Sequence, residues 1–329
     1  MVLSLQDKWV WDSWYVRDGD LWHCYFLQAD KAIGDPEQRH WNVSYGHATS
    51  RDLATWDHLG TCFAPSDGPA WDDFTTWTGS VVQDDDGGWH LFYTGTSRGN
   101  DGKHQKLGHA TSDDLHDWQR VGDGLILDRD DRYEEFLVGR WHDRAFRDPW
   151  VIRDPDGAGW LMYFTARNAA VDDPLDAGAI GFATSPDLYR WTLQDPVFTG
   201  GFGELEVPQV FDWNGRWYCL FCTAGRFWTQ TSTATIGGPA RTGTHYLMAE
   251  TPRGPWRVAP GPMLDGDAPG QRYAARVVND GGTRKLLGFL MTDPETGAFP
   301  GVIADPVDIV QLADGRLALA NAEERAAHG

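Results

Sequence analysis

One pattern of short apolar runs occurs five times along the chain, and no other feature restricts the fold as strongly. The first run of each unit reads DSWYV from Asp12, TGSVV from Thr78, DPWVI from Asp148 and EVPQV from Glu206. A second run follows about eleven residues later, as WHCYF from Trp22, WHLFY from Trp89, WLMYF from Trp160 and WYCLF from Trp217. Turn residues rich in Gly, Asp and Asn separate the two runs, which is the pattern of a β-hairpin. Third runs follow as YGHATS, LGHATS, IGFATS and YLMAET, and then a Trp-terminated turn at Trp56, Trp118, Trp191 and Trp256. A weaker fifth unit opens near Tyr273, passes through KLLGFL and GVIADP, and closes near GRLALA. Five units of three or four antiparallel strands, with no long amphipathic helix, predict an all-β fold, a five-bladed β-propeller. No linker or shift of composition divides the 329 residues, so residues 1–329 read as a single catalytic domain. The polar tail from Asn321 is expected to fray.

The formal net charge of −20, with only five lysines, argues against nucleic acid and anionic membrane as partners. A small neutral oligosaccharide is easier to accommodate. The N-terminus shows no basic segment followed by an apolar one, and no run of 18 apolar residues occurs, so a cytoplasmic location is expected. Cys24 and Cys219 sit inside apolar runs as small hydrophobes, and the Cys219/Cys222 pair has no second pair to complete a zinc site.

In a propeller the first strand of each blade lines the central channel, so equivalent positions lie at similar depth around one axis. The aligned first positions are Asp12, Thr78, Asp148, Glu206 and roughly Tyr273. Three are carboxylates, on blades one, three and four, and a merely solvated acidic face would not place them at one phase of the repeat. Converging carboxylates suit glycoside cleavage, in which one acts as nucleophile or base and another protonates the leaving oxygen. Mutual repulsion and burial keep one of them protonated near neutrality.

The elements VWDSW (Val10–Trp14), WTGS (Trp77–Ser80), FRDP (Phe146–Pro149) and ELEVPQVFDWNGRWY (Glu204–Tyr218) resemble the motifs of the levansucrase and invertase families, glycoside hydrolase families 68 and 32. The resemblance covers roughly residues 9 to 310. It implies a five-bladed propeller acting on β-D-fructofuranosides with retention. It implies Asp12 as nucleophile, Glu206 as general acid/base and Asp148 as stabiliser of the transition state. Arg147 would help hold the sugar, and Glu204 and Arg226 match the levansucrase pattern for substrate binding. The first motif departs from the Asn-Asp-Pro-Asn-Gly of invertases, and the C-terminal β-sandwich of most invertase-family members is not expected here.

Eight tryptophans are locked to the repeat and read as blade packing: Trp22, Trp89, Trp160, Trp217, Trp56, Trp118, Trp191 and Trp256. Sugar-stacking candidates lie outside that pattern and near the motifs. They are Trp11, Trp77 and Trp228, with Trp14, Trp141 and Trp150 behind them, and Ser80 of WTGS joins the candidate substrate-binding set. The Asp-rich stretches at 83–89 and 153–160 lack the spacing of a calcium loop and read as hairpin turns. No metal site and no cofactor are expected. His47 and His109 share a repeat position and read as packing. Two other functions compete with the fructosidase: an inverting α-L-arabinofuranosidase or β-xylosidase of the related family 43, and a non-catalytic sugar-binding propeller.

Overall fold

Each pair of apolar runs closes as an antiparallel hairpin, and five such units assemble around one axis. The computed structural model describes residues 2–267 and 271–320; the polar tail from Asn321 lies outside the described residues. Blade one consists of Lys8–Asp18, Leu21–Asp30, Ser44–Ser50 and Asp57–Phe63, and blade two of Thr75–Gln83, Trp89–Thr96, Lys106–Ser112 and Gln119–Leu127. Blades three and four begin with Phe146–Arg153 and Glu206–Trp213, and each has its outer position shared by two short strands. Blade five begins with Arg272–Asp280 and Thr283–Leu290. Its sheet also takes in Leu3–Ser4, which pairs with Val302–Ile303, so the N-terminal segment closes the ring against the last blade. The innermost strands pack side by side in the order one, two, three, four, five and back to one. Among the described residues the α-helix is a single short one, Gln230–Ile236.

The repeated side chains have repeated duties. In the turns after the third strands, Ser50, Ser112 and Ser185 accept backbone N–H bonds from Leu53, Leu115 and Leu188, each at 2.9 Å. Those three leucines adopt positive φ, between 60° and 68°, and are buried at 1% exposure. The serine and aspartate bonds and the buried leucine offset the cost of a left-handed non-glycine residue. The glycine of YGHATS, LGHATS and IGFATS is equally constrained. A Cβ on Gly46, Gly108 or Gly181 would lie 2.1–2.3 Å from the ring of Phe26, Tyr93 or Phe164 on the neighbouring strand. Of the eight repeat tryptophans, Trp22, Trp89, Trp118, Trp160 and Trp256 are buried. Trp56, Trp191 and Trp217 are half-buried against the same clusters. All eight are packing residues; full burial of such a side chain contributes about 3 kcal/mol before its entropy cost, and the three half-buried ones contribute less.

All five innermost strands carry a β-bulge at one level, with two residues opposite one on the second strand. The unpaired residues are Trp11–Asp12, Thr78–Gly79, Asp148–Pro149, Val207–Pro208 and Ala274–Ala275. This corrects the alignment read from sequence. Thr78 and Asp148 are equivalent, but Asp12 lies one position later and Glu206 one position earlier. The acids occupy three successive positions around the bulge rather than one. The backbone is unusual there: Asp148, Val207 and Ala274 have φ of 59°, 53° and 47°.

Candidate active site

The three acids at and beside the bulges open into one cavity of about 600 Å³ at the mouth of the propeller. Each is held differently. Thr78 donates its hydroxyl to Asp12 Oδ2. Asp148, at 3% exposure, accepts at Oδ2 from the Thr165 hydroxyl at 2.8 Å and from the Val207 N–H at 3.1 Å. Glu206 accepts from Arg147 at 2.8 Å on Oε1 and from the Tyr273 hydroxyl at 2.5 Å on Oε2. Its side chain keeps 23% of its surface exposed toward the cavity.

Glu204, two residues earlier, is nearly sealed. Its Oε1 accepts from Arg147 at 3.1 Å and Trp141 Nε1 at 3.2 Å, and lies 3.0 Å from His142 Nε2. Arg147 is the hub. It also reaches Gln105 Oε1 at 3.1 Å and Asp143 Oδ2 at 3.4 Å, and Gln105 in turn donates to Asp143 at 2.6 Å. His142, Asp143 and Glu204 present ligand atoms within 4.8 Å of one another. The Arg147 guanidinium already supplies positive charge to both carboxylates, so an ion-pair network accounts for the cluster.

This arrangement separates the ionisation of neighbouring acids. Burial lifts Asp12 to about 6, with Asp148 adding to the rise and Thr78, Arg276 and Arg39 opposing it. Burial likewise lifts Asp148 to about 6, against the pull of Arg147 and with Glu206 pushing the same way. Glu206 is raised by burial and by the Glu204 charge, which outweigh Arg147 and Tyr273. Burial pushes Glu204 up as well, but Arg147 and His142 overcome it and hold the group down at about 2. One glutamate is thus a fixed anion and the other, two residues away, is inclined to hold a proton.

Residues 14–299 match the family model described as the glycosyl hydrolases family 32 N-terminal domain. The chain belongs to glycosyl hydrolase family 32. Asp12 stands just ahead of the matched segment, while Asp148, Glu204 and Glu206 fall within it. The chain is 31% identical to a sucrose-6-phosphate hydrolase of Escherichia coli over 198 residues, covering 58% of this chain and 37% of that protein. It is 26% identical to an invertase of Kluyveromyces lactis over 242 residues, covering 63% and 34%. It therefore spans about a third of the length of these relatives. Among solved structures, the inulosucrase from Halalkalicoccus jeotgali bound to kestose superposes with a TM-score of 0.77 at 24% identity, covering 96% of this chain and 87% of that one. Bacillus subtilis levansucrase superposes with a TM-score of 0.76 at 18% identity and the same coverage. These likenesses establish a shared propeller fold.

Against this family-32 frame, the residues expected from sequence divide clearly. Asp12, Asp148, Glu206, Glu204, Arg147, Arg226, Trp11 and Trp77 line the cavity. Arg226 is exposed and lies over the Phe227 ring at 4.4 Å. Ser80 and Trp228 do not line it. Ser80 is buried just past the bulge and accepts from the Val151 N–H at 3.2 Å, joining blades two and three. Trp228 packs edge-on to Phe202 in the core of blades three and four. Trp14 is fully buried between Tyr25 and Tyr45, and Trp150 donates to the Val210 carbonyl. Neither faces the cavity, and Trp141 supports Glu204 from behind.

Several lining residues went unrecognised. Arg39, His40 and Trp41 come from the 3-10 helix Pro36–Trp41, which lies between the second and third strands of blade one. Trp77 Nε1 donates to the His40 carbonyl at 2.9 Å, and Trp41 stacks on Phe74. The sequence of this insertion has no counterpart in the other units, so a search for repeats discards it. Tyr273 was visible as the fifth aligned position, but its bond to Glu206 was not.

Proposed function

We propose that this propeller is the catalytic unit of a retaining β-D-fructofuranosidase, acting on sucrose or fructo-oligosaccharides and transferring the fructosyl group to alcohols as well as to water. The opposed ionisation of Glu204 and Glu206 beside Asp12 carries this reading. Asp12, mostly ionised above pH 6, attacks the anomeric carbon of the fructosyl unit while Glu206 delivers its proton to the departing oxygen. The bond to that oxygen breaks as the Asp12 ester forms. Asp148 steadies the positive charge that develops on the ring. Glu206, now ionised, then takes a proton from water or an alcohol, which attacks the ester and releases Asp12. Arg147 and Tyr273 hold Glu206 in line throughout. The relatives' names, invertase and sucrose-6-phosphate hydrolase, support a sucrose-type substrate. The four cysteines are free, in keeping with a reducing cytoplasm.

A panel of sucrose, short inulin and levan oligomers and aryl arabinofuranosides tests this reading. Fructose release with first-formed β-anomer by NMR, and methyl β-fructofuranoside formed in added methanol, are expected. Arabinose release with inversion would move the chain to the family 43 type, and binding without turnover would make it a sugar-binding propeller.

A further inference from the structure

Behind the residues that line the site, a buried cation lies between blades four and five that the mechanism above does not use. Arg276 follows the bulge of blade five and is 1% exposed. Its guanidinium lies over the Trp150 ring at 4.8 Å. One nitrogen, Nη1, donates to two successive carbonyls of blade four, Val207 at 3.1 Å and Pro208 at 2.6 Å. Nε and Nη2 are buried and find no acceptor among the described residues. No carboxylate there forms an ion pair with Arg276. A buried guanidinium normally meets its counter-charge directly.

The peptide it grips is the one that matters for catalysis. Val207 is a β-branched residue at φ 53°, a conformation that must be held by its surroundings. Its carbonyl is held by Arg276, and its N–H donates to Asp148 Oδ2 at 3.1 Å. The preceding residue is Glu206. A single side chain from blade five thereby fixes the backbone segment that orients two of the three acids. We infer that Arg276 is a positioning residue for fructosyl transfer, clamping the strained Val207–Pro208 bulge and lending its uncommitted charge to Asp12 and Asp148 together.

This inference rests on the proposed roles of those acids. The charged groups facing Asp12 are Asp148, Arg276 and Arg39; those facing Asp148 are Arg147, at 3.6 Å, and Glu206; those facing Arg276 are Asp148, Asp12 and the thiols of Cys222 and Cys219. Arg39 is partly satisfied by Glu37 at 3.1 Å and by the Pro36 carbonyl. Arg276 has no such acidic partner, so its charge acts on the pair.

The decisive comparison is Arg276→Gln against Arg276→Lys. Glutamine carries no charge and ends where Arg276 Nε now lies, short of the Val207 carbonyl, whereas lysine keeps the charge and loses the fork. With Gln, the acid limb of kcat/KM is expected to rise by about half a pH unit or more, and kcat to fall about tenfold with KM little changed. With Lys, the limb returns toward wild type. Equal displacement of the limb in Gln and Lys, or none in either, would overturn the inference. If the Gln variant does not fold, the Lys variant decides: a limb within about 0.2 pH units of wild type supports a charge role, and a larger rise refutes it. Infrared difference titration of the Asp12 and Asp148 carboxyls needs no substrate and reads the same displacement. A carboxyl titration that rises on loss of Arg276, in a protein without fructoside turnover, would sink the proposed function while leaving the electrostatic inference standing. Turnover with an unmoved titration would do the reverse.

Discussion

Replacing Asp12 by Asn should make the protein more stable while abolishing its activity, and the pH dependence of that gain is the revealing part. The folded protein raises Asp12 from its ordinary 3.8 to about 6, chiefly by burial. Between those values the native state holds a proton that the unfolded chain has released. Stability attributable to Asp12 therefore falls as pH rises from about 4 to about 6, and the loss persists above. The rise corresponds to about 3 kcal/mol as an upper figure. Asn can still accept the Thr78 hydroxyl, but Arg276 and Arg39 lose part of their counter-charge, so about 1–2 kcal/mol is the expected net gain. Urea unfolding at pH 7.5 should show the Asn variant more stable by that amount. Near pH 4 the difference should shrink to a few tenths of a kcal/mol. Turnover should drop by about a thousandfold or more in the same folded variant. A gain of equal size at both pH values, or a loss at pH 7.5 only, would show that Asp12 is not held against its ionisation. Near-normal turnover would remove it from the mechanism.

Other outcomes follow from the same geometry. Glu206→Gln should lose most activity on poor leaving groups, by about a hundredfold or more relative to activated aryl fructosides, because protonation matters most there. Glu204→Gln removes the negative charge that raises Glu206, so the alkaline limb of kcat/KM should move down, with KM rising as Arg147 reorganises. An unmoved limb would uncouple the two glutamates. Tyr273→Phe takes away a donor that favours ionised Glu206, so the alkaline limb should move up, in the opposite sense. Leu3→Asp places a charge on the strand that closes the ring at Ile303 and should cost about 2–4 kcal/mol in urea unfolding with kcat retained.

The propeller was legible because its signal is redundant. Hairpin turns, the Ser-x-x-Leu turn and the Trp after it recur with the blades, and each has one physical duty repeated at each occurrence. The acids were legible for a related reason: a charge inside an apolar first strand needs a purpose, and three such strands share one channel. Their exact phase was not legible. A bulge puts two residues opposite one, and Trp11–Asp12, Asp148–Pro149 and Ala274–Ala275 follow no common pattern that would mark where the extra residue falls. Gly79 offers the one hint, because a Cβ there would come within 2.2 Å of the Phe92 carbonyl oxygen.

The bulges also explain why a misaligned reading still picked three acids that share one cavity. In a regular strand a slip of one residue would turn the side chain to the other face of the sheet. At these bulges that alternation is broken, and positions one before, at and one after a given level all reach the cavity, as Glu206, Asp148 and Asp12 do. Ser80 marks where the tolerance ends. It is the first paired residue past the bulge of blade two, alternation has resumed, and its hydroxyl points between blades to the Val151 N–H. Arg276 holds the same position in blade five and likewise reaches sideways, to the carbonyls of Val207 and Pro208. The position after the bulge thus ties neighbouring blades together, and the bulge itself presents the chemistry.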